Sequence, residues 1–438
     1  MTAFLISLAR VFSVSAAAVL AGAFAVPAVC PPGRSFRAER LAWSWAIGAG
    51  LVAALVPLSF VTGFVPGWGG FAALAAVAAA LGRLARIGGA PAPPEATAAV
   101  NDSAEDQWPR RALVAVAGAG VLVYAVVALT EPMWSNDYVA IWGFKGKTIH
   151  GAVGVPSRFF EDPSLGFSHP EYPLGLPFLY AGVAFLTGGW DDHAMALLFP
   201  LFQVATLLAL SGWLRRRGAS AETALLAAAI LAGFEPLYSA YMTGMADVPL
   251  SLGLLLFGTA LADALEGEPG ALRRLATASA LIAATKNEGL FFAAAGCALA
   301  LLVGGARRWR VALAALPTAL AIHALHVAWR GRMPLRDFSL AAFSPARLAT
   351  ALAAAARLPG AYGWAALALL AALVLLGRPA AEGDRLLVLG ACGFVAYLLL
   401  PAFAVRGPEW LVATALPRTT AGLAPLAAAA VGARFRKA

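Results

Sequence analysis

The sequence predicts an all-α polytopic integral membrane protein with about 13 transmembrane helices of roughly 20 residues each. Two observations carry this. Hydrophobic residues make up 61% of the 438 and charged residues 13%, with a mean hydropathy of +0.77. A soluble protein has about 25% charged residues, so this chain lacks the polar surface needed to face water on all sides. The second observation is that apolar runs of helix length recur along the chain, with arginine-rich connectors between them. A soluble enzyme, a disordered chain and a secreted disulfide scaffold are thereby excluded.

The elements follow from the runs. Apolar stretches fill 4–26, 41–64, 71–87 and 113–130, then 194–214, 223–234, 248–265, 272–284 and 290–303, and finally 311–329, 364–376, 386–403 and 411–431. The first is expected to be a retained helix. Val26-Pro27-Ala28-Val29-Cys30 has the outline of a lipoprotein cleavage site, but Val29 is bulky and a basic segment follows. Residues 174–186 are apolar but short and contain Pro177, which suits a re-entrant helix surrounded by protein. Three leading helices (1–87) are then separated by an Ala- and Pro-rich cytoplasmic linker (88–110) from a module of residues 111–438. Cys30, Cys297 and Cys392 lie in or beside apolar runs without CxxC spacing and read as inert thiols.

The net charge of +9 serves orientation rather than nucleic acid. With the N-terminus outside and 174–186 not counted as a span, six basic connectors share the cytoplasmic side. They hold Arg34/Arg37/Arg40, Arg110/Arg111, Arg215/Arg216/Arg217, Arg273/Arg274, Arg307/Arg308/Arg310 and Arg434/Arg436/Lys437. Residues 131–190, which open with an aromatic, charged stretch dotted with Pro and Gly, then form a long exterior loop with interfacial helices.

That loop holds the first chemistry. In Trp134-Ser135-Asn136-Asp137-Tyr138, Asp137 has two readings: an N-cap for a short interfacial helix, or a carboxylate placed to take a proton from an acceptor hydroxyl. His169-Pro170-Glu171-Tyr172-Pro173 leads into the re-entrant helix, its prolines setting a bend. His169 and Glu171 are candidates for acid–base work or for a divalent metal, and Lys145 and Tyr172 for substrate contact. Asp247, two residues before Pro249, opens a later run either as an ordinary cap or as a functional carboxylate. Thr285-Lys286-Asn287-Glu288-Gly289 interrupts two runs, and a Lys and a Glu so near hydrocarbon need a partner or a wet cavity. It is a turn with an ion pair, or it points Lys286 at a phosphate. Arg406 is an exterior cation that orientation does not explain, suited to clamp a lipid-linked phosphate.

In combination these elements resemble the GT-C membrane glycosyltransferases. That family includes the dolichyl-phosphate-mannose protein mannosyltransferases, the bacterial aminoarabinose transferase of lipid A and bacterial lipopolysaccharide-core sugar transferases. The resemblance rests on Asp137 in the first large exterior loop, the Pro-containing stretch 169–177, Asp247 opening a later helix, and the Lys-x-Glu-Gly element at Lys286, Glu288 and Gly289. It covers residues 113–330, about half the chain. Asn136-Asp137-Tyr138 stands where many members carry an adjacent Asp-Glu pair, and the three leading helices are additional to the usual core.

The resemblance implies a GT-C-like fold in a bacterial cytoplasmic (inner) membrane, with the site facing the periplasm. It implies inverting transfer of a sugar from a polyprenyl-phosphate-linked donor to a glycan, lipid or protein acceptor. Asp137 is then the general base, Lys286 and Arg406 offset phosphate charge, and Glu171 and Asp247 orient the acceptor or a metal. Lys145, His169, Tyr172 and Glu288 complete the substrate contacts, with a possible divalent metal and no other cofactor. A transporter or lipid-linked-glycan flippase is the alternative, and would place ionisable residues near mid-membrane on broken, paired helices.

Overall fold

A computed structural model describes residues 2–30, 37–87, 107–154, 162–330, 343–357, 381–403 and 407–435, and among these no strand occurs. First come α1 (Thr2–Val29), α2 (Arg37–Thr62), α3 (Trp68–Ile87) and α4 (Trp108–Thr130). The segment after α4 contains a π-helical turn, Tyr138–Trp142, running into α5 (Gly143–Ala152), and leads to α6 (Gly175–Thr187). Next are α7 (Leu198–Arg216), α8 (Ala221–Ala232), α9 (Asp247–Glu266), α10 (Ala271–Thr285), α11 (Glu288–Val303) and α12 (Arg308–Arg330). The chain finishes with α13 (Pro345–Arg357), α14 (Ala381–Leu399), α15 (Pro408–Thr414), α16 (Leu416–Ala421) and α17 (Ala424–Gly432).

Among the described residues, 7 helices are long and apolar enough to cross a membrane: α1, α2, α4, α7 with the turn before it, α9, α12 and α14. Helices α3, α6, α8 and α11 are apolar but shorter. The outer faces agree with a membrane setting. Phe24, Leu84, Leu122 and Val123 all lie more than half exposed, a display that water penalises and acyl chains accept. The described elements are all helical, and the chain is a multi-pass membrane protein.

Two expectations change. The run 411–431 is not one helix: Pro417 and Pro425, each in the first turn of a short helix, divide it among three helices, the first of which opens at Pro408. Proline is tolerated there because those N–H groups have no partner within the helix, while it blocks continuation of the helix before it. Helix α4 begins at Trp108, inside the stretch expected as linker. The expected run 364–376, Arg406 and linker residues 88–106 lie outside the described residues.

Helix α9 is the axis, buried along its whole length because α7, α10, α11, α12, α14 and α17 pack around it. Its two ends both carry acid: Asp247 at one, Asp263 and Glu266 at the other. At a rise of 1.5 Å per residue, Asp247 and Asp263 stand about 24 Å apart, most of a hydrocarbon core. The leading helices join this core through α2, which packs on α6 and α7. Helices α1 and α2 cross at backbone contact, since a Cβ at Gly22 would lie 1.9 Å from the Ser44 carbonyl oxygen and one at Gly48 1.9 Å from that of Ala18.

Candidate functional site

The Asp247 end of α9 collects charges from four distant parts of the chain. Asp247 begins α9 but caps nothing with its side chain; Lys286 Nζ donates to its Oδ1 at 3.0 Å. Lys286 also meets Glu288 Oε1 at 2.9 Å, so the turn between α10 and α11 contains the ion pair its sequence suggested. That turn is tight because of Gly289, where a Cβ would lie 2.0 Å from the Ile282 carbonyl oxygen. Asp137 also makes no capping bond. Its carboxylate is instead paired with the guanidinium of Arg418, on α16. Arg418 in turn acts electrostatically on Asp247, which joins the two pairs into one cluster.

The loop stretch 169–172 forms the adjoining wall. Tyr172 stacks with two rings, that of Trp142 5.5 Å away and that of His169 5.0 Å away. His169 Nδ1 lies 3.1 Å from Glu171 Oε1, and His169 takes up a left-handed backbone (φ 51°), unusual for a residue with a Cβ. The carbonyl of Glu171 accepts a bond from Asn287 Nδ2 at 3.3 Å and lies 3.2 Å from His326 Nε2. The loop is thereby strapped to the Lys286–Glu288 turn and to α12. Lys145, on α5 and 1% exposed, donates from Nζ to the His169 carbonyl at 2.5 Å. Burial pushes its ammonium down to about 7, with the nearby Glu171 carboxylate opposing the shift.

Of the residues expected from sequence, Asp137, Lys145, His169, Glu171, Tyr172, Asp247, Lys286 and Glu288 all line this one region. Arg406 lies outside the described residues. Sequence reasoning missed Arg418, and the signal was present: an arginine beside Pro417 within an otherwise apolar run. His326 was missed as well, one of two histidines, with His323, in a largely apolar helix.

The donor set does not suit a resident metal. His169 and Glu171 engage each other, and no group of three His, Cys, Asp or Glu side chains able to hold an ion occurs among the described residues. What the region offers instead is unmatched hydrogen-bonding capacity. Asp247 Oδ2, Glu171 Oε2 and Trp142 Nε1 are buried without a partner. Buried polar atoms are normally satisfied, so such a group beside stacked aromatic rings fits a polyhydroxylated ligand. An apolar cavity of about 80 Å³ lies next to the cluster between α2, α6, α7, α9 and α10. Pro249 and Thr285 line it, two residues from Asp247 and one from Lys286. No family model, curated protein or solved structure matches this chain.

Proposed function

We propose that the protein is an inverting, GT-C-like membrane glycosyltransferase of a bacterial cytoplasmic membrane. It moves a sugar from a polyprenyl-phosphate-linked donor to a glycan, lipid or protein acceptor on the exterior side. The supporting observation is the gathering of Asp137, Arg418, Asp247, Lys286 and Glu288 at the end of α9 remote from the connector arginines, with carboxylate oxygens left unmatched. That opposite end carries the basic connectors, which the positive-inside rule assigns to the cytoplasm.

In this reading the acceptor oxygen attacks the anomeric carbon as the carbon–oxygen bond to phosphate breaks. The acceptor proton passes to Asp137, and the bonding electrons leave on the lipid phosphate. Arg418 and Lys286 offset the charge gathering there, while Asp247 Oδ2 and Glu171 Oε2 accept bonds from sugar hydroxyls. The apolar cavity beside Thr285 receives the first part of the lipid chain.

A transporter or flippase would share the broken helices α15–α17, but would carry its substrate across without cleaving it. The test is incubation of purified protein with a panel of polyprenyl-phosphate sugars, following donor cleavage and transfer. Asp137→Asn is expected to lower turnover by about 100-fold or more, with unchanged membrane abundance. Normal turnover in that variant, or lipid movement without cleavage, overturns the proposal.

A further inference from the structure

Arg418 is held by fewer carboxylates than Arg216 and Arg217, a condition it shares with Arg274, which meets Asp263 alone. Arg216 and Arg217 at the far end of α9 each engage at least two carboxylates. Arg418 engages one, Asp137, and does so through a single nitrogen, Nη1, which also lies 3.5 Å from Met245 Sδ. Its Nε is buried without a partner. A guanidinium has five N–H donors in a planar fork matched to two oxygens of one anion, so most of this fork is unused.

Lys286, the other cation of the site, is placed differently. It is only 2% exposed and is held between Asp247 and Glu288 at 3.0 and 2.9 Å. An arriving anion therefore meets Arg418 first, since the Arg418 side chain is 15% and that of Asp137 21% exposed. Arg418 also sits on α16, a six-residue helix bounded by Pro417 and the break before Pro425, and not within a long rigid one.

We propose that Asp137 is the resident counter-ion of Arg418 and that the donor's phosphate displaces it. This rests on the reading above and assigns Arg418, absent from the sequence-based candidates, as the phosphate-binding residue. A phosphodiester carries one negative charge and so does Asp137, so the exchange leaves the charge around Arg418 unchanged. It also frees the Asp137 carboxylate when a donor is present, so that the proton acceptor is released only with something to react. The same cation that grips the substrate thus restrains the base in its absence.

The consequence is counter-intuitive: neutralising Asp137 should improve phosphate binding while abolishing transfer. The experiment measures binding of farnesyl phosphate, inorganic phosphate and farnesol to the full-length protein in detergent, by titration calorimetry. Asp137→Asn is expected to tighten farnesyl phosphate by about tenfold, the worth of one charge-assisted contact. Arg418→Gln should weaken it by about tenfold, and adding Asp137→Asn to that variant should restore nothing. Arg418→Lys keeps the charge and the pairing with Asp137, and controls for folding; it should bind with intermediate affinity because it lacks the fork.

Unchanged affinity in Asp137→Asn, with the wild type binding normally, overturns the exchange and leaves the transferase reading standing. Gains by Asp137→Asn in the Arg418→Gln background would also overturn it. Equal tightening toward inorganic phosphate upholds the exchange and removes the lipid chain from recognition. Failure of the wild type to bind any phosphate probe overturns both proposals.

Discussion

The two ends of α9 hold buried ionic clusters of opposite character. At the Asp263 end every carboxylate oxygen of that residue is occupied. Arg216 and Arg274 approach Oδ2 at 2.6 and 2.9 Å, while Trp213 Nε1 reaches Oδ1 at 3.1 Å and Arg217 pairs with Oδ1 as well. Glu39 of α2 closes the network on Arg216 at 2.9 Å, tying a leading helix to the axis. At the Asp247 end, Oδ2 has no partner, nor has Glu171 Oε2. At the Asp263 end the orphaned atoms are donors, Arg217 Nε and Arg274 Nε, whereas at the Asp247 end carboxylate oxygens are left open to accept hydrogen bonds from outside. The first reads as a brace and the second as a site, although both are built from the same residue types at similar depth.

The sharpest way to break this comparison is to remove one acid from each end. Asp263→Ala leaves Arg216, Arg217 and Arg274 facing one another, and should cost about 3–5 kcal/mol, seen as collapse of the thermal unfolding temperature in detergent. Asp247→Asn should cost far less stability. Equal destabilisation by the two would show that the Asp247 end is a brace too.

Gly289→Ala gives the next effect. Its methyl would meet the Ile282 carbonyl, so α10 and α11 must part and carry Lys286 and Glu288 with them, at about 1–3 kcal/mol. Donor cleavage should fall by more than that loss of stability explains; a proportional fall would make the glycine purely structural.

The last test is a pH slope. The unfolded chain holds the Lys145 proton up to the ordinary value of 10.5, the folded chain only to about 7. Between these limits the unfolded state binds more protons, so stability rises with pH, by at most about 1.4 kcal/mol per pH unit. Lys145→Met should flatten that slope and gain stability mainly below pH 7. Parallel wild-type and variant profiles would show that Lys145 does not titrate there.

Much of the site was legible because costly residues stand out in an apolar chain. Asp137, Asp247, Lys286 and Glu288 were conspicuous for their setting, and so were the prolines around Glu171. Arg418 was not, because a single cation inside an apolar run looks like a feature of one long helix. Only the proline breaks of the folded chain make it a site residue. The connector arginines show the converse. They were read as orientation signals alone, yet Arg216, Arg217 and Arg274 are also buried structural members.

By itself the sequence determined the solvent and the material. Hydropathy sums locally over a window, so the apolar helices of a multi-pass protein were readable from neighbouring residues alone. Partner choice is not local. Asp137 finds Arg418 across 281 positions and Asp247 finds Lys286 across 39. Which acids are satisfied and which are left open therefore depends on how helices pack around α9, and only the tertiary structure could decide it.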